Sequence, residues 1–358
     1  MRVALVHDYL NQRGGAERVF AHIARAYPDA PIYTALFDPR QTGDLVDAAR
    51  VHTSYLAKIP GANAYFRFLA PLYPRAFEAF DLSGYDTIVS STTAWAKGVC
   101  VPPGAVHVCY INTVSRFAFA YDQYVGTPLA RPLIAPLVEW DKRAAQRPTQ
   151  FVANSRNVAE RIKRYYGRDS IVLHCPVDID RFTVGNGCGE HFFIASRLLQ
   201  YKRIDLAIRA AALAKVPLMV AGTGPAEDSL RELARGTTTT MLGYVDDDRV
   251  NELLGTARAA ILPGEEDFGL LPLEAAACGR ATIAYRGGGA RETIREGETG
   301  EFFDERTPES LAAVLRAFDE RRYDAVTLRA HAQMFSPPRF IERLRAIVEQ
   351  TFIIGTSL

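Results

Sequence analysis

Two kinds of pattern alternate along the whole chain, and this alternation limits the possible folds more than any other feature. Stretches such as 16–27, 155–167 and 203–214 carry apolar residues at i, i+3, i+4 and i+7, which predicts helices. Between such stretches lie short apolar runs that predict strands: VALVHDY (3–9), PIYTALF (31–37), TIVSS (87–91), VHVCYIN (106–112), QFVAN (150–154), SIVLH (170–174), HFFIAS (191–196), PLMVAG (217–222), AAILPG (259–264) and ATIAYR (281–286). Strands that alternate with helices form parallel sheets covered on both faces, so we predict a doubly wound α/β fold.

The segment VDIDRFTVGNGCGEH, residues 177–191, interrupts both patterns, because it holds three glycines within five residues. We therefore predict two Rossmann-like domains of similar size, residues 1–177 and 178–335. The remaining residues, 336–358, predict a helix that either ends the second domain or crosses back to the first. Ligands of such sheets bind outside the carboxyl ends of the strands, and two facing domains would form a cleft.

The composition argues against several classes of protein. The net charge is +1 and no Lys/Arg tract occurs, so nucleic-acid binding has no support. The opening MRVALVHDYL is too short for a signal peptide and no run of about 18 apolar residues occurs, so we expect a cytoplasmic protein. The cysteines form no CxxC pair, which argues against a zinc site or a disulfide framework and for a reducing compartment. They are Cys100, Cys109, Cys175, Cys188 and Cys278.

Two basic residues follow the predicted strand HFFIAS, in the sequence SRLLQYKRID. Arg197 and Lys202 lie where a strand end would meet a diphosphate, and two fixed positive charges would stabilise a departing phosphate. The alternative is that both are solvated residues at a helix start. Basic residues there oppose the helix dipole, which favours the functional interpretation.

The stretch PGEEDFGLLPLEAAACG, residues 263–279, combines an acidic trio with a predicted helix. Glu266 would lie on a loop at a strand end, and Glu274 on the first turn of the helix, near Pro272. Both carboxylates could then accept hydrogen bonds from the hydroxyl groups of one ligand. Capping by Glu274 and solvation of the trio remain an equal alternative. Three backbone amides would form an anion-binding helix entrance: those of Phe268, Gly269 and Leu270.

Other motifs are less specific. Gly14 and Gly15 follow the first strand, but GxGxxG is absent and a tight turn explains them equally well. AGTGPAED (221–228) could contact a nucleotide or simply pack helix on strand. VDDDRV (245–250) fits a helix N-terminus better than a metal site. No GxSxG, HExxH or GxxxxGK[ST] occurs, which argues against serine hydrolases, zincins and P-loop NTPases.

Taken together, these motifs resemble the retaining glycosyltransferases of family 4, which have the GT-B fold. The resemblance covers nearly the whole chain, and its most specific element is the pair of glutamates eight residues apart with the upstream Arg and Lys. It is carried by HDYLNQRGGAERV, DLSGYDTIVSST, HVCYINTVSRFAFAYD, WDKRAAQRPTQFVANSRNVAERIKRYYG, SRLLQYKRIDLAI, GTGP, EEDFGLLPLEAAACGRATIAYRGGGARETI and EGETGEFF.

The resemblance implies a role for each candidate residue. Arg197 and Lys202 would neutralise the donor diphosphate. Glu266 would hold hydroxyl groups of the donor sugar, assisted by the amides at 268–270, and Glu274 would hold the ribose. Gly14 and Gly15 would lie near phosphate and acceptor. The domain 1–177 would bind the acceptor and the domain 178–335 the nucleotide sugar, with no metal and no cofactor.

The resemblance also implies a reaction. The most similar enzymes are mannosyltransferases of polysaccharide and O-antigen assembly that use GDP-mannose, although UDP-sugars remain open. We expect transfer of a hexose, with retention of configuration, to a glycan or lipid-linked acceptor. The alternatives are a GT-B nucleotide-sugar epimerase, whose acid and base residues we cannot place, and a non-catalytic nucleotide-sugar-binding protein; a Rossmann dehydrogenase is more remote.

Asn112 marks a departure from the family pattern. Relatives commonly have His-Thr-Pro at this strand end, whereas this chain has Asn112, Thr113 and Val114. An asparagine donates and accepts hydrogen bonds but does not titrate near neutral pH. We predict that Asn112 holds a donor-sugar hydroxyl or the acceptor while the leaving phosphate takes the proton; the alternative is that it only caps the strand end.

The segment 55–80 combines basic residues with aromatic ones, which is typical of an element at a membrane interface. It leads to the hypothesis of a peripheral contact with the inner face of the cell membrane, where a lipid-linked acceptor would be met. The alternative, buried helices that cover the sheet, is at least as well supported by the sequence.

Overall fold

The computed structural model describes residues 1–119, 131–185, 187 and 189–356. The chain divides into two compact units. Unit 1 comprises Met1–Pro176 together with Pro338–Leu358, and unit 2 comprises Val177–Pro337. Two residues of the predicted boundary segment, Asn186 and Cys188, lie outside the described residues, as does the end of the HVCYINTVSRFAFAYD motif.

Unit 1 contains a seven-stranded parallel sheet with the order β3-β2-β1-β4-β5-β6-β7. Strands β1 and β4 lie side by side near the middle of the sheet. Their parallel pairing runs from Val3 opposite Thr87 to His7 opposite Ser91. Because the sheet is built outwards in both directions from this pair, their carboxyl ends form a switch point, where ligands bind in such folds. The strands are β1 (Val3–His7), β2 (Ile32–Thr34), β3 (Val51–Thr53), β4 (Thr87–Thr92), β5 (Val106–Ile111), β6 (Gln150–Ala153) and β7 (Ser170–Val172).

Unit 2 repeats this plan with a six-stranded parallel sheet of order β10-β9-β8-β11-β12-β13. Here β8 and β11 are neighbours, with Phe192 opposite Ala259, so their carboxyl ends form the second switch point. The strands are β8 (Phe192–Ala195), β9 (Leu218–Ala221), β10 (Thr239–Gly243), β11 (Ala259–Leu262), β12 (Thr282–Tyr285) and β13 (Gly300–Phe303).

Helices connect the strands in both units. They are α1 (Gly15–Ala26), α2 (Pro39–Thr42), α3 (Tyr73–Glu78), α4 (Arg116–Phe119), α5 (Arg131–Ala144), α6 (Arg156–Tyr166), α7 (Ile204–Ala214), α8 (Glu227–Ala234), α9 (Asp247–Thr256), α10 (Leu271–Ala277), α11 (Ala290–Thr293), α12 (Pro308–Ala317), α13 (Ala325–Gln333) and α14 (Pro337–Thr356). From Pro338 onwards α14 packs in unit 1, where Arg345 Nε donates to the carbonyl of Ala26 over 2.8 Å and the Phe340 ring lies 5.7 Å from that of Tyr110.

Each unit has its own apolar core. In unit 2, strands β8, β9 and β11 pack against α7 and α12 through side chains such as Phe192, Leu206 and Leu311. The apolar clusters of unit 1 include one around Phe77 and one around Phe151. Every residue of β4 and β5 is buried, which explains why these strands carry no charged side chain and show no regular alternation of apolar and exposed polar residues.

The predicted doubly wound α/β fold is confirmed, and each of the ten predicted runs contains a strand. Three strands were missed: β3, β10 and β13. All three lie at sheet edges, where one side of the strand has no neighbour and fewer apolar residues are needed. Their sequences VHT, TTMLG and GEFF are accordingly short or mixed in polarity.

Candidate functional site

Two loops leave the switch point of unit 2 and carry most of the predicted site residues. The loop after β8 contains Arg197 and Lys202, and the loop after β11 contains Glu266. Because β8 and β11 are adjacent parallel strands, both loops begin at the same edge of the sheet. The fold therefore brings together residues that lie more than sixty positions apart in sequence.

Lys202 and Glu266 form a direct ion pair, in which Lys202 Nζ donates to Glu266 Oε1. Only 17% of the Lys202 side chain and 14% of the Glu266 side chain is exposed. Such a charge-assisted hydrogen bond is stronger than a neutral one and fixes the direction of both groups. The pair therefore presents one cation and one carboxylate in fixed positions at the switch point.

The close approach of the two loops depends on Gly264. A Cβ atom there would lie 2.7 Å from the carbonyl oxygens of both Tyr201 and Lys202, too close for any side chain. Arg203, which follows Lys202, has φ +54°, a left-handed conformation that is uncommon outside glycine. It turns the chain from the 3-10 segment Gln200–Lys202 into helix α7.

Arg197 differs from Lys202 in that its side chain is exposed and its guanidinium has no partner within the described part of the chain. The backbone beside it is nevertheless held firmly. Leu198 N donates to Thr223 O over 2.9 Å, and Ala226 N donates to Leu198 O over 3.0 Å. The loop thus fixes the backbone from which the exposed Arg197 side chain extends, and its positive charge could pair with an anion.

The glycines of AGTGPAED explain how this loop is supported. Gly222 and Gly224 have φ +133° and +159°, and a Cβ on Gly222 would lie 1.8 Å from Ser196 O. A Cβ on Gly224 would lie 2.5 Å from Leu198 O. The glycines let segment 221–226 lie directly against the loop of Arg197, so the packing observed is of loop on loop and not of helix on strand. A contact with the nucleotide stays a prediction.

The loop between Glu266 and α10 has a fixed backbone. Gly269 has φ +85°, and Gly289 N donates to Glu266 O over 2.9 Å. Phe268 is buried, and its ring lies 6.0 Å from that of Phe335. These contacts fix the backbone from which the amides of residues 268–270 project, although the structure does not test their predicted role.

Helix α10 begins at Leu271, with Leu270 as its N-cap residue and Pro272 in the second position. Glu274 lies in the first turn, as predicted; it is partly buried and its backbone N donates to Leu270 O over 3.0 Å. Its predicted contact with ribose remains a prediction.

The acidic trio is not a solvated patch. Glu265 pairs with Arg306, whose guanidinium lies 4.5 Å from the centre of the Tyr285 ring. Asp267 is buried, and Glu266 pairs with Lys202. The alternative in which all three residues only face solvent is therefore wrong.

In unit 1, Asn112 is buried directly after β5 and is bound to its neighbours. Its Nδ2 group donates to Ser91 Oγ over 3.0 Å and to Thr92 O over 3.3 Å. Asn154 Nδ2 in turn donates to Asn112 O over 2.8 Å. These bonds tie together the ends of β4, β5 and β6, which supports the strand-end interpretation; a role toward the substrate stays a prediction.

Gly14 is the N-cap residue of α1, and Gly15 begins the helix. A Cβ on Gly14 would lie 2.7 Å from Glu17 Oε2, so the glycine leaves room for that buried carboxyl group. Gln12 Nε2 donates to Glu17 Oε1 over 3.1 Å. An acidic side chain at this helix start disfavours a phosphate there, which weakens the predicted role of the two glycines.

Sequence reasoning missed Asp8, the residue that organises the switch point of unit 1. This buried carboxylate directly follows β1 and accepts six hydrogen bonds from the segment 92–96, over 2.6–3.0 Å. The donors are two threonine hydroxyls and four backbone amides. A charged residue immediately after a buried strand was the available signal.

A buried ion pair in unit 1 was missed as well. Lys97 Nζ lies 2.5 Å from Asp141 Oδ1, and Tyr166 OH donates to Asp141 Oδ2 over 2.8 Å. Burial alone would lower the pKa of Lys97, but the charge of Asp141 outweighs it and raises that pKa above its usual value. The ammonium group is therefore held charged inside the core.

The remaining acidic motif has a structural role. Asp246 caps α9 by accepting a hydrogen bond from Arg249 N over 2.8 Å, which confirms the predicted helix N-terminus at 245–250. Among the described residues, no three His, Cys, Asp or Glu side chains are placed to hold a metal ion together. In the same part of the chain no helix combines the length and apolarity needed to span a bilayer.

Two family models match the chain in succession. The model described as Glycosyltransferase Family 4 matches residues 13–181, and the model described as Glycosyl transferases group 1 matches residues 182–332. The second match contains the ion pair of Lys202 and Glu266 as well as Arg197.

Curated relatives share about 30% of their residues with the matched segments. A D-inositol 3-phosphate glycosyltransferase of Geodermatophilus obscurus is 31% identical over 250 residues, which cover 60% of this chain and 56% of the relative. A GDP-mannose-dependent alpha-(1-6)-phosphatidylinositol dimannoside mannosyltransferase of Mycobacterium tuberculosis is 28% identical over 228 residues, covering 54% and 59%. The chain thus matches little more than half the length of these relatives.

Solved structures match over nearly the entire chain. HepE of Anabaena in complex with UDP and glucose superposes with a TM-score of 0.72 at 17% identity, covering 98% of this chain and 100% of HepE. Sucrose-phosphate synthase of Thermosynechococcus elongatus gives a TM-score of 0.74 at 17% identity, covering 98% and 99%. At such identities the likeness shows the fold.

Proposed function

The chain belongs to glycosyltransferase family 4 and has the GT-B fold, and on this basis we propose that it is a retaining hexosyltransferase. It would move a hexose from a nucleoside-diphosphate sugar to a glycan or lipid-linked acceptor. The observation that carries the proposal is the Lys202–Glu266 pair at the β8/β11 switch point, with the unneutralised Arg197 on the same loop as Lys202. A diphosphate needs cations and a sugar needs hydrogen-bond acceptors, and this site offers both.

The proposed step is breakage of the bond between the anomeric carbon and the diphosphate oxygen. Negative charge develops on the departing phosphate while the sugar gains oxocarbenium character. Arg197 and Lys202 would stabilise that charge, and because Glu266 already fixes the direction of the Lys202 ammonium group, that group needs little rearrangement. The acceptor hydroxyl would attack from the side of the leaving group and pass its proton to the departing phosphate, which accounts for retention.

The carboxylates would orient the donor. Lys202 engages Oε1 of Glu266, and the second carboxylate oxygen would accept a hydrogen bond from a hydroxyl of the sugar. Glu274, in the first turn of α10, would accept one from the ribose. Side chains supply the positive charge at the diphosphate, and we therefore propose that no metal ion is required.

The proposed donor is GDP-mannose, on the strength of the family resemblance and of the GDP-mannose-dependent relative in Mycobacterium tuberculosis. A UDP-sugar is the main alternative, since HepE was solved with UDP. The proposed setting is polysaccharide or glycoconjugate assembly.

Incubation with a panel of GDP- and UDP-sugars would test the proposal, with release of the nucleotide and the anomeric configuration of the product by NMR as the readouts. We expect release from one donor class, an α-linked product from an α-linked donor, and the same rate with a chelator present. A β-linked product would overturn retention, and activity lost to a chelator and restored by magnesium or manganese would overturn metal independence. Donor binding without release, with any candidate acceptor, would favour a binding protein, and sugar interconversion without an acceptor would favour an epimerase.

A further inference from the structure

Unit 1 presents a group of large apolar side chains to solvent within a short stretch of chain, which we term the 55–72 surface. Phe68 is 82% exposed and Tyr65 is 64% exposed. The other members are at least one third exposed: Tyr55, Ile59 and Leu72. Tyr55 OH donates to Leu72 O over 3.4 Å, so the two ends of this segment lie together. Isolated exposed apolar residues are ordinary, but several gathered on one folded segment are typical of an interaction surface.

The 55–72 surface is held in a fixed conformation. Between its exposed members the buried side chain of Leu56 joins the core of unit 1, as do Tyr73 and Phe77 just beyond it. Tyr73 OH donates to Phe66 O over 2.7 Å, which anchors the 3-10 segment Phe66–Leu72 that carries Phe68. The apolar side chains are therefore displayed by an ordered backbone.

The charge of this region has one sign. No Asp or Glu occurs from residue 48 to residue 77, although acidic and basic residues are nearly equal in number over the whole chain. Within that range Lys58, Arg67 and Arg75 are exposed. The Arg67 guanidinium lies 4.8 Å from the centre of the Phe66 ring, so it stays beside the aromatic group.

From these observations we propose that the 55–72 surface docks the protein onto an anionic lipid bilayer. Phe68, Tyr65 and their apolar neighbours would enter the headgroup region, where amphipathic aromatic rings are favoured, while the three cations would lie against lipid phosphates. A two-fold dimer through this surface is disfavoured, because it would bring the like charges of Lys58, Arg67 and Arg75 toward their copies. The inference goes beyond sugar transfer and does not depend on it.

Co-sedimentation of the full chain with vesicles tests the inference, using phosphatidylcholine alone and an equal mixture of phosphatidylcholine and phosphatidylglycerol. We expect binding to the anionic vesicles that weakens as salt rises, since surface charges are screened. The double variant Tyr65→Ser, Phe68→Ser should bind at least about tenfold more weakly. The double variant Lys58→Gln, Arg67→Gln should lose roughly fivefold in affinity per charge.

Matched controls lie in unit 2. Tyr244 and Val326 are 79% and 76% exposed, so Tyr244→Ser, Val326→Ser removes comparable apolar surface elsewhere. Arg235→Gln, Arg321→Gln removes two exposed charges. We expect both controls to bind vesicles like the wild type.

Three results would overturn the inference. The first is that the wild type does not bind anionic vesicles at low salt, and the second is that the unit 2 controls lose as much vesicle binding as the surface variants. The third is that the Tyr65→Ser, Phe68→Ser variant loses self-association but not vesicle binding, which would assign the surface to a second copy. Nucleotide release from the donor sugar in the absence of vesicles should be unchanged in the surface variants, so failure of docking and failure of the proposed transferase activity can be told apart.

Discussion

The two sheets of this molecule follow the same strand order around their switch points, but they differ in whether the charged group at the switch point is already bonded by the protein. In unit 1 the charged group at the switch point, Asp8, accepts six hydrogen bonds from its own chain. In unit 2 the loops at the switch point carry the Lys202–Glu266 pair and also Arg197, whose guanidinium has no partner in the described part of the chain. One charge stabilises the fold, and the other is available to a ligand.

This contrast shows that topology locates a site without deciding its use. A doubly wound sheet always opens a crevice between the two strands where its order reverses. Whether a ligand binds there depends on whether the polar groups at that edge are already satisfied by the protein. Substitutions at the two switch points should therefore separate stability from activity.

The largest effect is expected for Asp8→Ala. Removing the carboxylate leaves buried amides of segment 92–96 without an acceptor, and we expect the free energy of unfolding of unit 1 to fall by on the order of 4 kcal/mol. Both tryptophans, Trp95 and Trp140, lie in unit 1, so urea unfolding followed by tryptophan fluorescence reports on this unit. Asp38→Ala is the control: Asp38 caps α2 by accepting from Arg40 N and also pairs with the Arg40 side chain, and its loss should cost about 1 kcal/mol. Equal losses in the two variants would contradict the importance given to Asp8.

Arg197→Ala should lower turnover while leaving stability nearly unchanged. We expect turnover to fall by about 10²–10³, because a charge contact to the departing diphosphate is lost. Stability should change by no more than about 0.5 kcal/mol, since the side chain is exposed. Arg209→Ala, on the exposed face of α7 in the same unit, is the matched control and should turn over like the wild type. Turnover near that of the wild type in Arg197→Ala would remove this residue from the proposed site.

A pH dependence should distinguish unit 1 through His107. Burial, assisted by the charge of Arg147, lowers the pKa of this histidine to about 3, and its Nε2 lies 2.7 Å from Ser90 Oγ. The folded state therefore keeps the ring neutral while the unfolded state takes up a proton near pH 6.5, so stability is full above that value and falls as the pH is lowered toward 3. Between about pH 7.5 and 5.5 the wild type should lose about 1.4 kcal/mol more than His107→Gln by tryptophan-monitored unfolding. Parallel losses in both proteins would show that other groups control the acid response.

The smallest effect is expected at Asn112. Asn112→Ala removes two hydrogen bonds to the end of β4, which should cost about 1 kcal/mol of stability. If the residue also contacts substrate, turnover will fall further than this loss explains, and Asn112→His will introduce a pH dependence of the rate near about 6.5. Rates over a pH series for the three proteins decide the matter, because unchanged turnover in Asn112→Ala would place the residue outside the site.

Local patterns predicted the elements that are most buried. Strands β4 and β5 were found because all of their residues are buried, and apolar and uncharged residues therefore predominate in them. The edge strands β3, β10 and β13 were missed, since pairing on one side imposes a weaker pattern. Predicting Glu274 in the first turn of α10 required only the neighbouring Pro272 and the usual preferences of helix starts.

By itself the sequence determined the alternation of strands and helices, and thereby the α/β class, and it identified Arg197, Lys202 and Glu266 as candidates. Which charges remain available was decided only by the tertiary structure. Glu266 meets Lys202 across 64 positions, and Asp8 meets the segment 92–96 across more than 80. Such contacts arise from the order of strands in a sheet, which local residue spacing does not specify. The sequence therefore supplied the charged groups at both switch points. The folded arrangement determined that the carboxylate of Asp8 is bonded within the protein, whereas the guanidinium of Arg197 keeps its charge for a ligand.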